Sequence, residues 1–152
     1  MPPSQQELWD LIANKQNGIL ATVSQDGTPQ LSNVLYVPDA DRRVVRISTT
    51  AARFKSRNLE RDPRAALHVA GDDFWQYAVA RGTVTLSDVA ATRRDPATEE
   101  LFAVHTAFYG PLERDAFDDD MINNTRRVIR LHPRRLYGVI TNAGRRPISD
   151  GT

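Results

Sequence analysis

Ile19-Leu20-Ala21-Thr22-Val23-Ser24, then Asp26-Gly27, then Gln30-Leu31-Ser32-Asn33-Val34-Leu35-Tyr36-Val37 is the stretch that decides the fold. A run rich in β-formers meets an Asp-Gly pair, and a second run returns. Asp-Gly is a strong hairpin signal because glycine reaches the positive φ that a tight turn demands. The spacing predicts strands over 19–24 and 30–37, a turn over 38–41, and a third strand over 43–49 built around Val44, Val45 and Ile47.

Upstream, Ser4 and Glu7 form a capping box, and Leu8, Leu11 and Ile12 fall on one helical face, with Gly18 as the expected stop. Downstream, a short helix is expected over 52–61, ended by Asp62-Pro63, because a residue before proline avoids helical geometry. Residues 64–70 and 74–86 read as strands around a Gly71-Asp72-Asp73 turn, with Gly82 marking a bulge or bend. Asp95-Pro96 opens a helix lined by Leu101, Val104, His105 and Phe108, and Gly110-Pro111 breaks it. A weaker helix over 116–124 and two last strands, 128–132 and 136–141, complete the pattern. Six or seven strands with helices between them predict a mainly β, α+β architecture, a closed or nearly closed antiparallel barrel. One domain is expected over 1–141, with a loose polar tail over 142–152.

Composition narrows the function classes. The chain has 152 residues and no cysteine, which excludes disulfides, thiolate zinc sites and a cysteine nucleophile. A net charge of +1 argues against a nucleic-acid footprint spread over the sequence. No apolar run approaches the ~20 residues of a membrane span. The first residues lack the basic and apolar regions of a secretion signal, so a cytoplasmic location is expected. Glycine-rich dinucleotide fingerprints, P-loops, zincin motifs and nucleophile elbows are all missing. His68, His105 and His132 are too scattered to suggest a metal site, and His105 reads as a half-buried residue on an apolar helix face. Asp118-Asp119-Asp120 lacks EF-hand spacing and reads as a solvated acidic face.

The segment Ser48-Thr49-Thr50-Ala51-Ala52-Arg53-Phe54-Lys55-Ser56-Arg57-Asn58-Leu59 carries the chemistry. A helix N-terminus holds partial positive charge, yet the first two turns here carry Arg53, Lys55 and Arg57 and no acid. Each misplaced cation costs roughly 0.3–1 kcal/mol. Charge-assisted bonds to a docked phosphate, roughly 1.5–3 kcal/mol each, would outweigh that cost. The competing reading is a surface helix whose cations pair with Glu60, Asp62 or neighbouring strands. Alternation puts Gln30, Ser32 and Val34 on one strand face and Leu31 and Asn33 on the other. Trp75 and Tyr77 are expected to point the same way from one long strand, as a pair able to stack on a planar ring.

These features resemble the flavin/deazaflavin oxidoreductases of the split β-barrel superfamily, the pyridoxamine-phosphate-oxidase-like proteins. The motifs are Gly18-Ile19-Leu20-Ala21-Thr22, Asp26-Gly27-Thr28-Pro29-Gln30-Leu31-Ser32-Asn33, Arg53-Phe54-Lys55-Ser56-Arg57-Asn58-Leu59, Asp62-Pro63-Arg64-Ala65, Trp75-Gln76-Tyr77-Ala78-Val79 and the ending Arg130-Leu131-His132-Pro133-Arg134-Arg135-Leu136-Tyr137-Gly138. Their order and spacing look like the actinobacterial branch that uses coenzyme F420. The resemblance implies a split barrel, a homodimer with cofactor sites at its interface, and hydride transfer between the deazaflavin and a conjugated small-molecule acceptor. It implies that Arg53 and Lys55 hold the coenzyme phosphate and that Asn58 supports that loop. Gln30, Ser32 and Asn33 would flank the ring, with Ser48, Thr49 and Thr50 on the adjoining strand end and Trp75 and Tyr77 supplied by the partner subunit. No set matching a pyridoxal phosphate substrate is found, and no side chain stands out as proton donor. Two alternatives share the fold: an FMN-dependent reductase or oxidase, and a non-catalytic F420 or flavin carrier.

Overall fold

The computed structural model describes residues 2–141. Its hairpin is β1 (Asn17–Val23) and β2 (Pro29–Leu35), paired antiparallel from Asn17↔Leu35 to Val23↔Pro29 around Gly27 at φ 85°. The second run does not continue as one strand to residue 37. It breaks at Tyr36, and β3 (Val37–Asp39) pairs instead with β4 (Val44–Thr50). Tyr36 is fully buried and its hydroxyl donates to the Ile12 carbonyl at 2.7 Å, which pins the switch point against the first helix.

That break explains the closure. The remaining strands are β5 (Arg64–Ala70), β6 (Tyr77–Leu86) and β7 (Arg126–Val139), and the sheet order is β2-β1-β5-β6-β7-β4-β3. The strands β2 and β3 are the opposite edges of this sheet, yet only Tyr36 separates them in sequence. Two residues of extended chain span only ~7 Å, so the sheet must curl until its edges nearly meet. The result is an antiparallel split barrel with flanking helices. Its core includes Leu20, Ile47, Leu67, Val69, Ile129 and Leu131.

The helix α1 (Gln5–Ala13) has the expected capping box, with Glu7 N–H donating to Ser4 Oγ at 3.1 Å. Leu8, Trp9 and Ile12 of α1 are buried against the barrel. The helix ends at Asn14, not at Gly18. Gly18 sits inside β1, where an added Cβ would lie 2.7 Å from the His68 carbonyl oxygen, so close strand packing is its reason. The short helix is α2 (Phe54–Arg61), ended by Asp62 in an extended conformation. Residues 74–76 belong to the turn before β6, so Trp75 and Tyr77 do not share one strand face. Trp75 is 52% exposed and stacks edge-on with Phe74, whereas Tyr77 lies flat against His68 at 5.3 Å between centroids.

The two expected last strands are one. Pro133 reads as a break in sequence, but β4 pairs with β7 only up to Leu131, so Pro133 lies beyond that side's ladder. On the other side the register steps from Arg81↔Arg135 to Gly82↔Pro133, and Arg134 bulges out. A Cβ at Gly82 would lie 2.0 Å from the His132 carbonyl oxygen. Gly82→Ala therefore forces the two backbones apart and is expected to cost at least about 1–3 kcal/mol, read as a lowered thermal midpoint.

A second, smaller core joins α3 (Pro96–Tyr109) and α4 (Arg114–Asn123) to β7 through Leu101, Phe117, Met121 and Val128. Asp95 caps α3 from its side chain, with Pro96 at the first position as expected. The acidic triplet is not a uniformly solvated face. Asp118 is completely buried and accepts from Arg114 Nε and Arg94 Nη1, both at 2.8 Å, while Asp119 pairs with Arg93. The expected tail over 142–152 lies outside the described residues. Among the described residues, no helix is long and apolar enough to cross a membrane.

Candidate functional site

The helix α2 starts two residues later than the expected 52–61, at Phe54, so Arg53 precedes its first turn instead of lying in it. Its N-cap is Arg53, which makes no side-chain cap bond, and its first turn holds no acid. Glu60 is taken by Arg127 and Asp62 by Arg64, so the carboxylates nearest in sequence are spent elsewhere. None of the ion pairs among the described residues involves Arg53, Lys55, Arg57 or Arg126. A cationic group without a counter-charge is what the surface-helix reading does not explain.

Lys55 turns inward and lines a cavity of about 180 Å³ between α2, the end of β2, β4, α3 and the start of β7. Asn33, Ser48, His105 and Arg126 share its walls. Burial lowers the Lys55 pKa, and the charges of Arg53 and Arg126 lower it further. Burial likewise lowers that of Arg126, with Arg53 adding to the effect against the opposing pull of Asp120 and Tyr109. These cations are held together at a cost, and an anion between them would relieve it.

Hydrogen bonds fix the polar wall. Arg126 donates to Ser48 Oγ from Nη2 at 2.7 Å and from Nε at 3.2 Å, and to Thr50 Oγ1 from Nη1 at 3.3 Å. With both lone pairs engaged, the Ser48 proton is left for His105 Nε2, 2.9 Å away. That assigns His105 as a neutral imidazole protonated on Nδ1. Burial lowers its pKa first, and Arg126 adds to this. Phe117 packs edge-on against the ring at 5.2 Å.

The other residues singled out from sequence divide into two groups. Asn33 belongs with Lys55 and Ser48, and it also lines a groove of about 480 Å³ across the outer face of β2, β1 and β5. Ile19 floors this groove and His68, with Tyr77 stacked on it, stands at its far side. The inward group is Gln30, Ser32, Thr49 and Asn58. Asn58 donates to Thr22 Oγ1 at 3.1 Å, and Thr22 donates to Gln30 Oε1 at 3.0 Å, a chain that anchors α2 to the barrel. The hydroxyls of Ser32, Thr49 and Ser56 are buried without a hydrogen-bond partner in the described structure. Arg53 stays exposed at the start of α2, and Trp75 lies in its turn.

His105 and Arg126 are the site residues that sequence reasoning missed. His105 was masked by the apolar helix stripe around it. Arg126 opens a strand with no local mark, and only the β4–β7 pairing Thr50↔Arg126 brings it to the site. Among the described residues, no group of three or more His, Cys, Asp or Glu is placed to hold a metal ion.

Residues 4–140 match the family model described as pyridoxamine 5'-phosphate oxidase. The chain belongs to the pyridoxamine 5'-phosphate oxidase family. The chain is similar to the crystal structure of a conserved hypothetical protein from Mycobacterium tuberculosis, 25% identical, covering 90% of this chain and 85% of that one, with a TM-score of 0.68. It is also similar to a structure described as an F420 reductase, 29% identical over 88% of this chain and 97% of that one, TM-score 0.64. A heme-binding protein from Mycobacterium smegmatis is 22% identical, covering 90% and 54%, TM-score 0.61; that likeness is one of fold.

Proposed function

We propose that this pyridoxamine 5'-phosphate oxidase family member binds coenzyme F420 and is an F420-dependent oxidoreductase, transferring a hydride between the deazaflavin and a conjugated small-molecule acceptor. The observation that carries the reading is the cavity wall of Lys55 and Arg126, with Arg53 beside it and no carboxylate among the described residues ion-paired to any of them. Similarity to the structure described as an F420 reductase supports the choice of coenzyme.

Lys55 and Arg126 would hold the phosphate, with Arg53 at the mouth and Ser48 and Asn33 beside it. The groove that shares Asn33 with this cavity would take the ring. When bound, the deazaflavin supplies a hydride donor or acceptor carbon. This chain's residues bind and orient it. Asn58, through Thr22, fixes the helix that presents Lys55. The polar side chains of Gln30, Ser32 and Thr49 lie on the inner side of the same strands, with Thr50 bonded to Arg126 on the outer side. A homodimer would complete the groove, with Trp75 and Tyr77 coming from the partner subunit. Ile19, Leu31, Leu35, Tyr137 and Val139, exposed apolar residues on the outer side of the sheet, support such a contact.

Titration of purified protein with F420, FMN and hemin tests the reading. F420 is expected to bind at least tenfold more tightly than FMN. Protein that is purified yellow and releases FMN, or that binds hemin in preference, would overturn it. Tight F420 binding with no turnover of any acceptor by reduced coenzyme would reassign the chain as a carrier.

The His105 bond carries its own prediction. An anion in the cavity offsets the field of Arg126, so the imidazole pKa should rise from its lowered value. Anion binding then takes up protons, and affinity strengthens as pH falls from the ordinary imidazole range of about 6.5. Imidazole NMR titrations with and without sulfate, which does not change charge there, would read this. The shift is expected at His105, and a His105→Gln variant should lose the pH slope of sulfate affinity.

A further inference from the structure

A third cavity, of about 570 Å³, lies on the outer side of the same sheet and shares no lining residue with the two just described. Its floor is apolar, formed by Ala21, Val23 and Ala66, and its rim carries Arg64, Arg81, Arg134 and Arg135. Arg64 is paired with Asp62. Arg81, Arg134 and Arg135 enter no ion pair or side-chain hydrogen bond among the described residues. The β7 bulge sits here: the register skips Arg134 between Pro133 and Arg135, so two successive guanidinium-bearing residues are delivered to one end of the groove.

Strand register relates this groove to the one lined by Asn33. Asn33, Ile19, His68, Val79 and Tyr137 form one cross-strand row, through Ile19↔Asn33, Ile19↔His68, His68↔Val79 and Val79↔Tyr137. Two residues along the strands, on the same face, runs the row Leu31, Ala21, Ala66, Arg81 and Arg135. The step between rows is ~7 Å. The arginine groove therefore begins one row away from the site assigned to the coenzyme ring.

We propose that this groove is the acceptor subsite and that it selects conjugated acids: flat, apolar-bodied molecules carrying two or more carboxylates or equivalent anionic groups. The apolar floor takes the body and the free guanidinium groups take the anionic ends, in the bidentate geometry arginine favours with carboxylates. A cavity of this size suits a small molecule with a few fixed polar contacts. The acceptor role rests on the coenzyme reading above; the binding of conjugated diacids does not.

The probe is 1,4-phenylenediacrylate, compared with its uncharged dimethyl ester, titrated calorimetrically into wild-type protein without coenzyme. The diacid is expected to bind at least tenfold more tightly than the diester. An Arg81→Ala, Arg135→Ala variant should bind the diacid at least tenfold more weakly while keeping its thermal midpoint, since both side chains are exposed. Lys55→Ala should bind it as wild type does. Equal affinity for acid and ester, or unchanged diacid affinity in the arginine variant, would overturn the groove assignment. Arg81→Lys, Arg135→Lys should restore part of the affinity; a variant that melts early and is not rescued by lysine would also count against it, showing these arginines to be structural. If the diacid binds through the arginines but wild-type protein takes no F420, the anion groove stands and the coenzyme reading falls. If F420 binds and the diacid does not, the reverse holds.

Discussion

An Arg53→Ala, Lys55→Ala double variant is expected to stay folded and to bind F420 at least tenfold more weakly than wild type, measured by fluorescence titration at fixed ionic strength. A charge-assisted bond to a phosphate is worth roughly 1.5–3 kcal/mol. Lys55 is partly desolvated on a cavity wall, so its bond should sit toward the upper end. Arg53 is exposed, and solvent screening reduces its share. A loss of about 1.4 kcal/mol is already tenfold in affinity. Stability should not fall, and could rise slightly, because two cations leave a helix N-terminus that disfavours them. Undiminished affinity would refute the phosphate assignment.

Asp118→Ala should produce the largest loss of stability, about 3 kcal/mol by chemical denaturation, because a buried carboxylate holding two cations is removed. Burial on its own would raise the Asp118 pKa, but the bonds from Arg114 and Arg94 outweigh it and hold the group below the usual carboxylate range. Asp118 also accepts the backbone N–H of Arg94 at 2.9 Å, where the chain adopts φ 61°. Losing it removes that backbone tether as well as two ion pairs. The depressed pKa means that this contribution is complete above the ordinary carboxylate pKa of about 4 and is lost as pH falls through the lowered value. An Asp118→Ala variant should therefore show a flatter acid limb in its stability profile.

Local signals in the sequence located most elements. Ser4 with Glu7, Asp95 with Pro96, and Asp26-Gly27 each fix a terminus or turn by bonds within a few residues, and the structure has all three. What escaped depends on distant partners. The break at Tyr36 exists because its hydroxyl finds the Ile12 carbonyl, and no feature of residues 30–37 announces that. The continuity of β7 through Pro133 depends on where β4 stops and on a bulge opposite Gly82. Asp118 looks like its exposed neighbours until α4 turns it towards Arg94 and Arg114.

The candidate site divides the same way. Lys55 was legible because a cation in the first turn of a helix is out of place by itself. Arg126 is an ordinary arginine until β7 lays it beside Ser48, and His105 is an ordinary helix residue until Ser48 offers it a proton. Sequence also placed Trp75 and Tyr77 together, since alternation was extended through a segment that is in fact a turn.

The phosphate can be tested by removing it from the ligand. The riboflavin-level deazaflavin has the same ring as F420 and no phosphodiester, so titrating both into wild type and Lys55→Ala closes a thermodynamic cycle. Wild type is expected to prefer F420 at least tenfold, and Lys55→Ala to lose most of that preference while binding the phosphate-free compound unchanged. Equal affinity of wild type for the two compounds would contradict the assignment of the Lys55–Arg126 cavity.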